Sequence, residues 1–497
     1  MKINRSAGML LHPTSLPGPY GIGDLGYEAF KFIDFMKEAG QKLWQVFPLG
    51  PTGFGDSPYQ CFSAFAGNPL LISPDILVEE KLLDVSDLQG IPHFDVNNVQ
   101  FGEVINFKHS LLEKAFNNSI ERDIRFPEEF EEFCNKNEFW LEDFALFMAG
   151  KKHYQGKIWA DWDKDFAARK PEALKIWKEK LAKDVEYQKF IQFHFFKQWN
   201  AIKAYANEKE ISVIGDLPIY VSYDSSDVWA DPELFSVNEE GKLTSVAGVP
   251  PDYFSPTGQL WGNPLYNWDE MKKDNFAWWI KRFSQMYKLV DIVRIDHFRG
   301  FEAYYKIAGD AKTAEQGEWV KAPGMELFKA VKKALGNVPI LAEDLGVITP
   351  EVEELRDHFE FPGMKILQFA FGDTGEKRFL PHNHTENSVV YTGSHDNETT
   401  AGFFWRERDQ NSGIYHAAQD YMNFWGEEMC EALIKTAYKS VANIVIIPLQ
   451  DIFNLGNEAR MNFPGQAAGN WTWRFTANQL NSGLAQKYNH FVKMYAR

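Results

Sequence analysis

Acidic side chains stand at the ends of several short apolar runs in this sequence. Asp216, Asp296 and Glu343 each close such a run, and the pair His395-Asp396 follows a fourth. Carboxyl groups can act as nucleophiles, exchange protons or hold Mg²⁺. Each residue alone is equally well explained by a structural pair with arginine. Several together indicate an active site, because gathering like charges costs stability and is typical of catalytic centres.

The most informative of these runs covers residues 292–299 and contains Arg294 and Asp296. The two lie two residues apart, so on a strand their side chains share a face. A neighbouring guanidinium favours the ionised form of a carboxyl group, which suits a nucleophile in covalent sugar chemistry. The same pair could be a buried ion pair that holds one end of a sheet. These eight residues alone favour that structural interpretation.

The elements that must position these side chains follow from the apolar pattern. Eight strands are predicted, at residues 8–11, 43–49, 211–217, 291–296, 339–344, 365–371, 388–392 and 443–449, and most are separated by helical patterns. This alternation predicts an α/β fold, a (β/α)8 TIM barrel that forms a single catalytic domain over residues 1–497. The alternative is an open doubly wound sheet, which the lack of a G-x-G-x-x-G or P-loop motif disfavours.

Two long stretches interrupt the alternation, and we predict that both are insertions at the C-terminal face of the strands. Residues 70–170 are highly charged and read as mostly helical. Residues 218–275 have little periodicity and are rich in Pro, Gly, Asp and aromatic residues. Loops of this length inside compact domains are usually functional. We therefore expect the second insertion to cover the active-site cleft.

Composition restricts the partners. The net charge of −17 over 497 residues argues against nucleic acid or an anionic membrane. The three cysteines are far apart and match no metal spacing, so we expect a reducing compartment without disulfides. The N-terminal residues lack the features of a signal peptide, and no apolar stretch is long enough for a membrane helix. These features predict a soluble cytoplasmic protein, and they do not indicate its oligomeric state.

The reaction class depends on which metal-ligand motifs and aromatic residues the sequence has beside the acids. No H-E-x-x-H motif or cysteine cluster is present, which disfavours catalytic zinc. The acids alone could hold Mg²⁺, so phosphoryl chemistry remains possible. Aromatic residues make up 15% of the chain, and those in loops fit sugar faces better. Glycosyl transfer needs two carboxyl groups, one nucleophile and one acid/base, and a third acid can hold ring hydroxyls.

Seven segments together carry a resemblance to a known family. They are SPYQ at 57–60, GDLPIY at 215–220, residues 248–266, VRIDHFRG at 293–300, LAEDLG at 341–346, TGSHDN at 392–397 and NEARMN at 457–462. The chain resembles the amylomaltases, the 4-α-glucanotransferases of the α-amylase clan that form glycoside hydrolase family 77. The strand-end motifs are shared across the clan, whereas the 248–266 loop is far more specific to this family.

The resemblance implies an activity and a role for each matching residue. It implies transfer of α-1,4-glucan segments from malto-oligosaccharide donors to glucose or another glucan, without a metal or organic cofactor. Asp296 matches the nucleophile, Glu343 the general acid/base and Asp396 the transition-state stabiliser. The implied substrate-binding residues are Ser57, Tyr59, Asp216, Tyr253, Phe254, Gln259, Trp261, Arg294, His395 and Asn462.

The sequence departs from the family pattern at Phe54 and Phe101. Some relatives have tyrosines there, at a second glucan site away from the chemistry, and phenylalanine keeps the stacking face but loses the hydroxyl. Two other functions are weighed against transfer. One is a simple α-glucoside hydrolase with the same site, and the other is a non-catalytic glucan-binding protein on a decayed barrel. The intact acids argue against the second.

Overall fold

The computed structural model describes residues 4–124, 127–251, 255–372, 376–426 and 428–497, and strands and helices alternate along them. The strands are β1 Ser6–Leu10, β2 Leu43–Gln45, β3 Ser212–Leu217, β4 Ser245–Val249, β5 Gln259–Pro264, β6 Ile292–Ile295, β7 Ala303–Ala308, β8 Gly317–Lys321, β9 Ile340–Ala342, β10 Gly363–Ile366, β11 Ser388–Tyr391 and β12 Ile444–Pro448. The α-helices are α1 Tyr27–Glu38, α2 Pro74–Glu79, α3 Phe101–Glu121, α4 Pro127–His153, α5 Lys164–Ala167, α6 Pro171–Lys180, α7 Ala182–Glu208, α8 Ser226–Ala230, α9 Trp268–Lys273, α10 Ala277–Leu289, α11 Gly324–Leu335, α12 Pro350–His358, α13 Thr400–Asp409, α14 Gly413–Met422, α15 Met429–Lys439, α16 Leu449–Ile452 and α17 Ser482–Met494.

Eight of the strands close into a parallel barrel. Their order around it is β1, β12, β11, β10, β9, β6, β3 and β2, and β2 pairs back with β1. Each corresponds to one of the eight strands predicted from the apolar runs. The predicted (β/α)8 barrel is therefore confirmed. Short β-branched runs such as Ile292–Ile295 are buried along their whole length, as expected of strands covered on both faces.

Helices cover the outside of the barrel by burying one face each. In α1 the buried positions include Phe32, Ile33 and Met36, which recur at helical spacing, while charged residues face solvent. Burying one such large side chain contributes roughly 1.5–3 kcal/mol. α1 ends just before Gly40, whose φ of 69° is the left-handed conformation that glycine adopts at helix ends.

Two strands are shorter than their apolar runs. β2 stops at Gln45 although residues 46–49 remain buried, and β10 stops at Ile366, where a 3₁₀ helix, Leu367–Phe369, begins. In both places the chain leaves the barrel sheet, but most of the residues that follow the strand remain buried. Burial, which the apolar run records, therefore extends beyond strand pairing.

Residues 70–170 contain helices α2 to α5 within the described part of that stretch. α4 lies along α7, with Phe133 and Trp140 packed against Phe196. Lys151 at the end of α4 donates to Asp224 at 2.6 Å, in the segment that follows β3. These contacts attach this helical stretch to the loops at the C-terminal ends of the strands.

A separate antiparallel sheet lies outside the barrel, in the order β5, β4, β7, β8. The sequence pattern did not predict it. Its outer strands lack a clean alternation, since β8 is almost entirely exposed, and the β4–β5 pairing contains a register shift. Two of its strands lie within residues 218–275, so the described part of that stretch is partly sheet.

Two further features concern the whole chain. The three cysteines, Cys61, Cys134 and Cys430, are free thiols. Within the described ranges, no helix combines the length and the hydrophobicity that a membrane span requires.

Candidate active site

Strand register brings four of the predicted site residues together: Asp216, Arg294, Asp296 and Glu343. Asp216 on β3 pairs with Arg294 on β6, so the two side chains are neighbours at the same level of the barrel. Ile295 on β6 pairs with Ala342 on β9, which makes Asp296 and Glu343 the next residues along their strands. The carboxyl ends of parallel barrel strands share one face, and all four side chains lie there.

Arg294 is the centre of this group. Its Nη1 donates to both oxygens of Asp216 at 2.6 Å and to Oδ1 of Asp296 at 3.2 Å. Its Nη2 lies 3.6 Å from Oε2 of Glu343. The Arg294 side chain is only 3% exposed, so one buried cation faces three carboxyl groups. The structural ion pair and the candidate catalytic acids are thus parts of the same cluster.

The two candidate catalytic carboxyl groups, Asp296 and Glu343, have unequal environments. Burial raises the pKa of Glu343 to about 8, although Arg294 opposes the shift. Burial also raises the pKa of Asp296, against the effect of Arg294. Because Arg294 donates to Asp296 at 3.2 Å but lies 3.6 Å from Glu343, it favours the carboxylate form at Asp296, and we assign the proton of the pair to Glu343. The sequence predicted the effect of Arg294 on Asp296 in the correct direction but did not account for burial.

An aromatic wall stands beside the acids. The Tyr59 hydroxyl donates to Oδ2 of Asp216 at 2.8 Å, and its ring stacks on His395 with centroids 5.1 Å apart and planes at 19°. Trp471 packs against both rings at 5.7 Å. Burial lowers the pKa of His395, so its imidazole is neutral near pH 7 and can both donate and accept. Stacked rings with polar edges suit one face of a sugar.

Asp396 approaches the group from another side, in the loop after β11. Its Oδ1 accepts from Nδ2 of Asn462 at 2.6 Å and lies 3.4 Å from Nε2 of His395. The Asn462 N–H also donates to the His395 carbonyl oxygen at 3.2 Å. The Asp396 side chain is 49% exposed, so this carboxyl group faces the open cleft.

The remaining predicted binding residues lie around the same opening. The Ser57 hydroxyl accepts from the Tyr59 N–H at 3.2 Å. Gln259 and Trp261 lie on β5, where the indole N–H donates to the Gln259 side-chain oxygen at 3.2 Å. The structure thus places eleven of the thirteen predicted site residues, which are Asp296, Glu343, Asp396, Ser57, Tyr59, Asp216, Gln259, Trp261, Arg294, His395 and Asn462. Tyr253 and Phe254 lie outside the described residues.

Sequence reasoning assigned no role to two residues that the structure places here. The N–H of His297 donates to Oε2 of Glu343, and the His297 ring packs edge-on against Trp261 at 4.9 Å. Trp471 lies behind Tyr59 and His395, and its φ is 64°. His297 could have been suspected because it follows Asp296 directly. Trp471 stands in none of the recognised segments, so its sequence position gave no signal.

The two phenylalanines that depart from the family pattern differ in exposure. Phe54 is 76% exposed in the loop before Ser57, whereas Phe101 is buried at the start of α3.

Among the described residues, no set of three or more His, Cys, Asp and Glu side chains has an arrangement able to hold a metal ion.

Comparisons with known proteins agree on one family. The family model described as 4-alpha-glucanotransferase matches residues 11–480. A curated 4-alpha-glucanotransferase from Synechocystis sp. is 53% identical, over 99% of this chain and 98% of that protein. Another, from Thermus thermophilus, is 50% identical over 97% of each chain. The solved amylomaltase from Streptococcus agalactiae in complex with acarbose has a TM-score of 0.95 and 42% identity, with 99% of each chain covered.

Proposed function

The chain belongs to the 4-alpha-glucanotransferase family and is an enzyme with that activity, and we propose that Asp296 and Glu343 perform the transfer by a retaining double displacement. The observation that carries this proposal is that both carboxyl groups face one guanidinium group: Arg294 donates to Asp296 at 3.2 Å and lies 3.6 Å from Glu343. Retaining glycosidases hold their carboxyl groups about 5–5.5 Å apart, whereas inverting enzymes keep about 6.5–9.5 Å to fit a water. The proposal therefore requires a separation of about 5–5.5 Å between the Asp296 and Glu343 carboxyl groups.

In the first step Asp296 attacks the anomeric carbon of an α-1,4-glucan. The bond to the glycosidic oxygen breaks, and Glu343 gives its proton to that oxygen. A pKa of about 8 keeps Glu343 protonated at neutral pH, as an acid requires. Arg294 stabilises the Asp296 carboxylate until the carbon–oxygen bond forms.

In the second step Glu343, now a carboxylate, takes the proton from the 4-hydroxyl of an acceptor sugar. The freed oxygen attacks the anomeric carbon, the bond to Asp296 breaks, and a new α-1,4 bond forms with retained configuration. Asp396, open to the cleft and held by Asn462, is placed to hold ring hydroxyls of the sugar in the transition state. Tyr59 and His395 supply the wall on which that sugar packs.

Transfer instead of hydrolysis requires that water be kept from the covalent intermediate. Trp261 on β5 supports this role, because it is half-buried and packs on His297, next to Asp296. We infer that the segment around Trp261 covers the cleft and that an acceptor sugar bound there displaces solvent.

The substrates we propose are α-1,4-glucans and malto-oligosaccharides, used in starch, glycogen or maltodextrin metabolism. Support comes from the Streptococcus agalactiae amylomaltase, whose structure was solved in complex with acarbose. We also propose a cytoplasmic location, which the three free cysteines fit.

Incubation with maltotriose tests the function. Transfer gives glucose together with maltotetraose and longer products, while the total number of reducing ends stays constant. A rise in reducing ends with only shorter products would identify a hydrolase. Binding of maltotriose without turnover would identify a non-catalytic glucan-binding protein.

A further inference from the structure

His297 holds an unusual backbone conformation at the end of β6. Its φ of 50° and ψ of 52° are left-handed, which is uncommon for a residue with a Cβ. The chain is tied on both sides of it. The Asp296 N–H donates to the Leu217 carbonyl oxygen, and the Phe298 N–H donates to the Glu343 carbonyl oxygen, each at 3.0 Å. These bonds to β3 and to the end of β9 keep His297 in a conformation that it would otherwise rarely adopt.

The left-handed turn has a direct effect on Glu343. It directs the His297 N–H to Oε2 of the Glu343 side chain, which accepts from it. The ring of His297 points elsewhere and packs against Trp261. The backbone of His297 thus contacts the acid/base, while its side chain contacts the segment that covers the cleft.

We propose that His297 is a positioning residue for catalysis, whose left-handed backbone holds Glu343 in place through the main-chain N–H. The inference rests on the proposed function, since it requires Glu343 to be the acid/base. A fixed donor of this kind favours the carboxylate form of Glu343. It therefore limits the rise in pKa that burial causes and assists the step in which Glu343 gives its proton to the glycosidic oxygen.

The pH dependence of Glu343 has several other contributors, and none of them is the His297 side chain. The charged and titratable groups that face it are Arg294 and Asp296 from β6, Asp216 from β3 and Tyr391 from β11. Burial lowers the pKa of the His297 ring to about 4, so the ring is neutral in the working range. Loss of the main-chain contact should then appear in the titration of Glu343 alone.

Substitutions at position 297 separate the backbone from the ring. Glycine adopts the left-handed conformation freely and asparagine tolerates it, whereas a β-branched valine disfavours it strongly. We expect His297→Val to move the high-pH limb of the kcat/KM profile upward by about one pH unit and to lower kcat. His297→Gly and His297→Asn should keep the limb in place and raise hydrolysis relative to transfer, because Trp261 loses its neighbour.

Asn423 offers a matched control. It has nearly the same conformation, with φ 51° and ψ 50°, at the end of α14. Asn423→Val should lower the melting temperature without moving the pH limb. If His297→Val does not fold, His297→Ala can replace it. Alanine disfavours the left-handed backbone less strongly than valine, so it should give a smaller upward shift of the high-pH limb.

Two results would overturn the inference. One is an unmoved limb in folded His297→Val or His297→Ala protein, and the other is an equal shift in His297→Gly. Glu343→Gln, measured in parallel, separates this failure from failure of the proposed function. Full activity in Glu343→Gln would reject the acid/base assignment itself, whereas an inactive Glu343→Gln with an unmoved limb at position 297 would reject only the role of His297.

Discussion

The proposed active site has two halves that are built differently. Asp216, Arg294, Asp296 and Glu343 come from adjacent barrel strands and form one cluster around a buried guanidinium. Asp396 comes from a loop, is half exposed and is held by Asn462 from a second loop. Backbone pairing fixes the first half before any sugar binds. The second half depends on hydrogen bonds between two loops: the Asn462 side chain donates to the Asp396 carboxylate, the Arg460 side chain to the Asp396 carbonyl oxygen, and the Asn462 N–H to the His395 carbonyl oxygen.

This difference matches the chemistry that we propose for each half. Bond making and proton transfer need atoms placed within a few tenths of an ångström, and rigid strand ends provide that precision. Holding ring hydroxyls through a changing sugar geometry tolerates more movement. We therefore expect substitutions in the strand half to affect turnover more than those in the loop half.

The largest effect should come from Asp296→Asn, which removes the proposed nucleophile. We expect kcat to fall by about 10⁴-fold or more, measured by glucose release from maltotriose. Asp291→Asn is the matched control at the opposite end of the same strand, where Asp291 accepts from the Val213 N–H at 2.8 Å. It should cost about 1 kcal/mol of stability and leave turnover unchanged. Equal losses of turnover in both variants would contradict a special role for the C-terminal end.

The loop half should show a graded response. Asp396→Asn removes a charge from the transition state and should lower kcat by about 10²- to 10³-fold. Asn462→Ala removes only the group that holds Asp396 and should lower kcat by about 10-fold. Steady-state kinetics on maltotriose measure both. A larger loss for Asn462→Ala than for Asp396→Asn would show that the loop contact has a role beyond holding Asp396.

The pH profile separates the halves further. Because burial raises the pKa of Glu343 to about 8, its proton is retained through neutral pH and lost above that value. The kcat/KM for maltotriose should therefore fall about tenfold per pH unit beyond about pH 8. Asn462→Ala, a change in the loop half, should lower this profile without moving its high-pH limb. A shift of the high-pH limb in Asn462→Ala would mean that the loop half influences the titration of Glu343 in the strand half.

The smallest effect on turnover should come from Trp261→Ala. Opening the cover admits water to the covalent intermediate, so the ratio of hydrolysis to transfer should rise several-fold. Product analysis by chromatography, together with a reducing-end assay, gives this ratio. Trp319→Ala on β8 is the control, since Trp319 lies in the same outer sheet and is 41% exposed. An unchanged ratio in Trp261→Ala would reject the cover role.

The strand half was also the more predictable from sequence. Arg294 and Asp296 follow a β-branched run whose period-two geometry places them on one face, and the eight apolar runs locate Asp216 and Glu343 at neighbouring strand ends. Asp396 was recognised as an acid that follows a predicted strand, but its role, and the identification of Asn462, came only from the family resemblance. Their contact joins two loops that are 66 residues apart, and no local pattern records such a distance.

The features that the sequence missed depend on tertiary contacts. In the antiparallel sheet of β4, β5, β7 and β8, the outer strand β8 is almost entirely exposed and the β4–β5 pairing is irregular, so hydrophobic alternation gives little signal for these parts. His297 and Trp471 adopt their left-handed conformations in the folded backbone, and neither histidine nor tryptophan as a residue type predicts this conformation. Burial of Glu343, which determines its pKa, likewise exists only once the barrel has closed.

The central claim is that Asp296 forms a covalent bond to the sugar while Glu343 exchanges protons. Glu343→Gln treated with α-maltosyl fluoride tests it directly, because fluoride leaves without a proton and the missing base slows the second step. We predict an enzyme whose mass increases by one maltosyl unit, with the adduct on the peptide that contains Asp296. An adduct on another residue, or release of the inverted sugar with no adduct, would contradict the account.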